Sequence, residues 1–292
     1  MAAHSEPRSI LELLDVGERV LKDSSHIFED HDNRLEAEEL LAFCLDVEEL
    51  NGSETPSRRS RERYLSLVAR RAGGEPFPFL TGTIEFYGLP LEVRPGPFVP
   101  RPSSELLVAR ALKRLRRRRR PVAVDVCTGA GPIALAMADE LRHAEVWGAD
   151  IDPGGLDQGR RNARRLGIPN VTFRKGDMYG ALPGRLRGAV DAITGHIPYV
   201  PADELDDLPT EVRDYEPAFT LTDLSADGLS LIRRAATEAP EWLKPGGWLF
   251  LELSDDLPAK VLTICKRAGF ESTNVASDDD GLSVVVEARL PR

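Results

Sequence analysis

The chain has 292 residues, and 38 Lys plus Arg against 48 Asp plus Glu leave a formal charge of −10. Hydrophobic residues make up 41%, enough to build a core, which excludes wholesale disorder. No apolar run approaches the ~18 residues that span a bilayer, and the acidic start MAAHSEPRSILELLDVGERV lacks a basic region followed by an apolar one, so neither a membrane span nor a secretion signal is expected. Cys44, Cys127 and Cys265 are odd in number, far apart and without a CxxC pair, which argues against a disulfide scaffold and a cysteine-rich zinc site. Together these features predict a soluble, cytoplasmic protein of one large or two unequal domains.

In chain order, residues 1–74 read as a small helical domain. Ile10, Leu13, Leu14, Val20 and Leu21, then Leu35, Leu40, Leu41, Phe43 and Leu45, recur at helical spacing among charges. Asn51-Gly52-Ser53 breaks the pattern, and a further helix is expected from about Ser57 to Arg71. Residues 75–105 form a proline-rich connector. Its seven prolines exclude a continuous helix, and IEFYGLPLEV reads as a hairpin of two short strands. A helix from Ser103 is expected to run to the basic tract KRLRRRRRP.

Over residues 106–292 strands and helices alternate. VAVDVC, EVWGAD, VTFRKGD, AVDAITG, WLFLEL and LSVVVEARL read as strands, with a turn at KPGG before WLFLEL. IALAMADELR, LDQGRRNARRLG, LSLIRRAATEAPEWL and AKVLTICKRAGF read as the helices between them. That rhythm predicts an α/β domain with a mostly parallel sheet covered by helices on both faces.

Ligands of such sheets bind outside the carboxyl ends of the strands. The first βα turn is Asp125-Val126-Cys127-Thr128-Gly129-Ala130-Gly131, and Gly129 and Gly131 let a ligand approach the backbone. Asp150 ends the second strand, placed to accept hydrogen bonds from the vicinal hydroxyls of a ribose. Asp177 ends the third, placed to accept from the adenine amine with Met178 beside the ring. The third glycine of a dinucleotide fingerprint is replaced by Ala134, and the aspartate set fits S-adenosyl-L-methionine better than NAD.

These motifs, in this order, resemble the PrmC/HemK family, methyltransferases that modify the glutamine of a GGQ motif in peptide-chain release factors. GEPFPFLTGTIEFYGLPLEVRPGPFVPRPSSE is similar to the family's connector, DVCTGAGPIALAMA to its glycine loop, GADIDP to its ribose strand and KGDMYGAL to its adenine loop. EVRDYEPAFTLTDLSADGL is similar to the stretch that follows its catalytic tetrapeptide. The resemblance implies a class I, Rossmann-like methyltransferase sheet, a helical N-terminal domain and a β-hairpin connector. By it, Asp125, Thr128, Gly129 and Gly131 line the methionine end of S-adenosyl-L-methionine. Asp150 holds the ribose, and Asp177 and Met178 hold the adenine. Phe98, Pro100 and Arg101 approach from the connector, and Glu105 either completes the connector signature or caps the following helix.

The family's Asn-Pro-Pro-Tyr stands here as His196-Ile197-Pro198-Tyr199. The Asn oxygen and a proline carbonyl accept the two hydrogens of an amide nitrogen and aim its lone pair at the methyl group. Neutral His offers one acceptor nitrogen, protonated His none. His196 is therefore the expected orienting group or general base, in reach of the cofactor, with Pro198 and Tyr199 shaping the slot. Phe79 and Ser103-Ser104 also depart from the family pattern.

The expected reaction is methyl transfer to an acceptor nitrogen, which calls for no metal because a sulfonium is already an activated leaving group. The acceptor is a release factor-like protein or a small amine, guanidine or hydroxyl compound; a non-catalytic cofactor-binding subunit is the remaining alternative. Asp203, Glu204, Asp206, Asp207, Glu211 and Asp214 after Tyr199 form either a solvated acidic loop or an attractor for a cationic acceptor. The net charge argues against nucleic acid as partner. The only basic cluster, Lys113–Arg120, reads as a solvated helix end.

Overall fold

A computed structural model of the chain describes residues 7–27, 32–278 and 283–292. The first six residues of the start, and Leu282 of the expected last strand, lie outside the described residues. The chain divides by contact into one unit of Met1–Gly82 with Asp207–Tyr215 and another of Thr83–Asp206 with Glu216–Arg292.

The first unit contains α1 (Ile10–Lys22), α2 (Asn33–Leu45), α3 (Arg58–Ala72) and the single turn α4 (Phe77–Thr81). Ser9 starts α1 with a capping box. Its hydroxyl accepts the Glu12 N–H, and the Glu12 carboxylate accepts the Ser9 N–H. Leu13, Leu40, Leu41, Tyr64 and Val68 close the core of this bundle. Arg71 at the end of α3 is fully buried, and its charge is met by both oxygens of Glu36 at 3.0 and 3.1 Å and by Glu211 at 2.7 Å.

The second unit opens with the antiparallel pair β1 (Thr83–Phe86) and β2 (Leu89–Glu92). Tyr87 and Gly88 both have positive φ (51° and 74°), as the tight primed hairpin turn requires. Glu105 does not cap α5, whose N-cap is Ser104; its carboxylate accepts the Tyr87 N–H at 2.7 Å and pins that turn. Then follow α5 (Glu105–Leu115), β3 (Val122–Val126), α6 (Pro132–Glu140), β4 (Glu145–Asp150), α7 (Pro153–Arg165), β5 (Val171–Lys175) and β6 (Val190–His196). After α8 (Thr210–Arg213), which lies in the first unit, come α9 (Ser230–Trp242), β7 (Leu243–Leu253), α10 (Pro258–Arg267), β8 (Ser272–Ser277) and β9 (Val284–Arg289).

Seven strands form one sheet in the order β5-β4-β3-β6-β7-β9-β8. Pairing is parallel from β5 to β7 and antiparallel on both sides of β9. Neighbouring residues along a strand face opposite layers. Val124, Ile193 and Leu249 pack with α9 and α10, while Ala123, Ala192 and Phe250 pack with α5 and α6. Strand order reverses between β3 and β6, which opens a crevice beyond their carboxyl ends.

Two local features differ from expectation. KPGG does not end an element. It continues β7 as an irregularity opposite Val190/Ala192, because Gly246 donates to the Pro291 carbonyl and Gly247 accepts from Leu290. The edge strand β8, STNVAS, was not expected: it is polar and largely exposed, and only its ladder with β9 makes it a strand. The basic tract lies at the exposed end of α5, where Arg116 pairs with Glu140 and Arg118 with Asp191. No helix among the described residues is long and apolar enough to cross a membrane.

Candidate active site

The crevice begins at the turn after β3. Thr128 N–H donates to the Ala149 carbonyl at 3.1 Å and ties this turn to β4. Cys127, Gly129 and Gly131 all have left-handed backbone (φ 53°, 53° and 81°). Gly131 is required twice, by that φ and because a Cβ there would meet the Phe173 ring at 2.4 Å. Gly129 is different: a Cβ would meet nothing nearer than Phe98 Cβ at 4.0 Å, so open space lies against its backbone.

Asp150 ends β4 and is the hub of this region. One oxygen accepts Gly129 N–H at 2.7 Å and the other accepts Asp152 N–H at 2.8 Å. Each oxygen keeps a lone pair for a hydroxyl donor. Burial raises the Asp150 pKa against the pull of these backbone donors.

Asp125 sits two residues before the turn and is fully buried. It accepts from the hydroxyls of Thr128 at 2.6 Å and Thr194 at 2.7 Å, yet desolvation pushes its pKa up to about 7. Thr194 is its register partner on β6. A buried carboxyl poised near neutrality is suited to a cationic ligand group.

Asp177 and Met178 follow β5. Met178 is buried with φ 49°, and its sulfur lies 3.6 Å from the Cys127 thiol, which brings this loop to the glycine turn. Asp177 is exposed, and one of its oxygens accepts from Arg234 at 2.7 Å. Beside the turn stands the connector. Phe98 lies under the Arg101 guanidinium, 4.5 Å from its ring centre, and Arg101 in turn pairs with buried Glu216. Pro100 between them is buried.

His196 closes β6 beside this turn, since Gly195 is registered with Val126. Its ring stacks on Tyr199 at 5.8 Å and meets the Phe98 edge at 5.4 Å. Ile197 faces the core, buried in the apolar layer beneath. Pro198 is half-buried and carries the chain on to Tyr199, whose phenol burial holds its pKa at about 12. Burial pushes the His196 pKa below its ordinary 6.5, with Glu252 opposing and Arg101 assisting. The ring is thus neutral at pH 7 and keeps an acceptor nitrogen.

The structure therefore brings the expected residues to one end of the sheet. Sequence reading missed several groups that hold them. Glu252 is the register partner of His196 on β7, and its signal was available: a lone carboxylate next to the end of the apolar run WLFLEL, at the same end of its strand as Asp150 in EVWGAD. Thr194 beneath Asp125, Phe173 beneath Gly131 and Glu216 beside Arg101 carried no such signal, because each acts only through its spatial neighbour. Glu211, read with the acidic loop, is withdrawn from any cation by Arg71, and Asp214 is paired with Arg213. The groups present fit an adenosine-containing sulfonium cofactor: open space at Gly129, spare lone pairs on Asp150 and a buried carboxyl at Asp125.

Residues 123–215 match the family model described as "Methyltransferase domain". A release factor glutamine methyltransferase of Geobacter sulfurreducens is 36% identical over 261 residues, covering 88% of this chain and 89% of that protein. One from Burkholderia pseudomallei is 38% identical over 237 residues, covering 80% and 82%. Among solved structures, a methyltransferase from Pyrococcus furiosus superposes with a TM-score of 0.51 at 21% identity, over 70% of this chain and 90% of that one, a likeness of fold.

Proposed function

The chain belongs to the family of release factor glutamine methyltransferases, and we propose that its own acceptor is the side-chain amide nitrogen of a release factor glutamine. It is an S-adenosyl-L-methionine-dependent methyltransferase of the class I, Rossmann-like fold. In this reading Asp125, Thr128, Gly129 and Gly131 hold the methionine end of the cofactor, Asp150 the ribose, and Asp177 with Met178 the adenine. When bound, the cofactor supplies a methyl group on a positively charged sulfur. The free thiols of Cys44, Cys127 and Cys265 accord with a reducing, cytoplasmic setting.

An amide nitrogen is a weak nucleophile because its lone pair is shared with the carbonyl. The protein must hold its hydrogens so that the lone pair points at the methyl group. The observation that carries the reading is the His196 ring itself, clamped between Phe98 and Tyr199 at the carboxyl end of β6 and beside the glycine turn. Its ring nitrogen and the Ile197 carbonyl take over the two acceptor positions, and Tyr199 and Phe98 exclude water.

The test is incubation with methyl-labelled S-adenosylmethionine and a release factor, beside the same factor with its GGQ glutamine changed to alanine. Label on the unchanged factor alone is expected. Absence of label, with cofactor binding intact in a parallel titration, would overturn the reading and direct the search to small amines, guanidines or hydroxyl compounds.

A further inference from the structure

Replacement of an amide by imidazole creates a problem that asparagine does not have. An Asn side chain always carries an acceptor oxygen, whereas neutral His presents either a lone pair or an N–H at a given nitrogen. Only the tautomer protonated on Nδ1 leaves Nε2 able to accept a hydrogen from the acceptor group. The other tautomer would set N–H against N–H.

Three observations bear on which nitrogen holds the proton. Glu252 is buried, 4% exposed, on the strand next to His196. One of its oxygens, Oε1, accepts the Ser103 hydroxyl at 2.9 Å. The other, Oε2, is buried, accepts no hydrogen bond among the described residues, and lies 3.5 Å from His196 Nδ1. The Ser104 oxygen lies 3.2 Å from the same nitrogen. A proton on Nδ1 satisfies this carboxylate oxygen and is shared with Ser104. A proton on Nε2 instead leaves a buried carboxylate oxygen facing an imidazole lone pair, which is the costlier arrangement. At 3.5 Å the pair is longer than a formed hydrogen bond, and catalytic contacts are often long in this way and tighten when substrate binds.

We propose that Glu252 is a positioning residue that fixes His196 as its Nδ1–H tautomer, so that Nε2 faces the acceptor as a hydrogen-bond acceptor and proton receiver. The inference rests on the methyl-transfer reading above and deepens it. As the acceptor nitrogen bonds to the methyl carbon and the carbon–sulfur bond breaks with its electrons going to sulfur, that nitrogen carries one proton too many. The proton passes to Nε2, and the resulting imidazolium is stabilised by the Glu252 carboxylate that its Nδ1–H faces until solvent removes the proton. Ser103 braces the far oxygen of that carboxylate, and Ser283 in turn donates to the Ser103 carbonyl at 2.6 Å. The two serines where the connector departs from the family pattern thus accompany the histidine that departs in the tetrapeptide.

The decisive measurement is the ring nitrogen shifts of His196 by nitrogen-15 NMR on the full-length protein, assigned by loss of the signal in His196→Ala. The protein has five histidines, few enough to resolve. The wild type is expected to show a protonated Nδ1 and an unprotonated Nε2. In Glu252→Gln the amide donates to Nδ1, the tautomer inverts, and kcat falls about 100-fold while cofactor affinity holds. Glu252→Asp, which keeps the charge, is expected to recover part of that loss.

The charged and titratable groups facing the ring are Glu252 from β7, Arg101 from the connector and Tyr199 from the following loop. With Glu252 the only one that raises the His196 pKa, the acidic limb of the Glu252→Gln rate profile moves to lower pH. A wild-type ring protonated on Nε2, or a Glu252→Gln protein with unchanged tautomer, overturns the proposal. Should Glu252→Gln not fold, the wild-type tautomer and the Glu252→Asp rate still decide it. The expected tautomer with no label on a release factor would overturn the acceptor and leave Glu252 in its role.

Discussion

Asp125 shows how a residue's surroundings set its chemistry. Its two threonine donors favour the carboxylate, while complete burial and the nearby charges of Asp150 and Glu252 favour the acid, and the outcome is a pKa of about 7. Because that value exceeds the 3.8 of an ordinary aspartate, the folded protein binds more protons than the unfolded chain between the two, and its stability falls as pH rises through that window. A cationic ligand group requires the ionised form. Cofactor affinity is therefore expected to rise about tenfold per pH unit over roughly pH 5 to 7 and then level off. Calorimetric titration in buffers of different ionisation enthalpy checks this, since binding at pH 6 should release a proton. Asp125→Asn should bind weakly with no slope, and a flat profile in the wild type would refute the assignment. Asp125, Asp150 and Asp177 were legible because each stands at or just past the carboxyl end of a strand that precedes a turn. Thr194 beneath Asp125 was not: it becomes meaningful only once β6 lies beside β3.

At the scale of elements, the segment after His196 holds its shape through a second stretch of chain. Val200 donates to the Leu221 carbonyl at 3.0 Å and Ala202 to Ser225 at 3.3 Å. Gly228, with φ 63°, presses its α-carbon against the Tyr199 backbone so closely that a Cβ would lie 2.0 Å from the Tyr199 oxygen. No side chain can enter there without moving Tyr199 from the His196 ring. Gly228→Ala is accordingly expected to lower kcat at least about tenfold and to destabilise the fold by roughly 1–3 kcal/mol, with cofactor affinity unchanged because the glycine turn is untouched. Single-turnover rates and a cofactor titration on the same sample separate these effects; equal loss of both would show that Gly228 supports the whole sheet end instead. Strands with apolar faces could be read from sequence because the core dictates their pattern. β8 could not, since its residues face solvent and only pairing with β9 makes it a strand. The KPGG segment was misread for a similar reason, because its partners at Pro291 and Leu290 lie at the far end of the chain.

Considered as a whole molecule, the chain passes between its two units at Gly82–Thr83, Asp206–Asp207 and Tyr215–Glu216. The excursion Asp207–Tyr215 reads in sequence as part of an acidic surface loop, but its central carboxylate is consumed inside the helical unit. Glu211 and Glu36 converge on Arg71, which is fully buried and lies 140 residues away from Glu211 in sequence. No local pattern could announce a pairing of that span. Both carboxylates converge on one buried guanidinium, so the cation is the member whose removal alone disrupts every one of these pairs. Arg71→Met should cost about 3–5 kcal/mol, whereas replacing all three by apolar residues (Arg71→Met, Glu36→Leu, Glu211→Leu) should be near neutral. Urea unfolding followed by a probe in the helical unit measures both. A loss below about 1 kcal/mol for Arg71→Met would mean that solvent reaches this site and that the pair is an ordinary surface contact. A large loss in the triple variant as well would show that the charges specify the path of Asp207–Tyr215, and not merely neutralise one another. The two variants thus separate the energy of the ion pairs from their part in routing the chain through the helical unit between Tyr199 and Glu216.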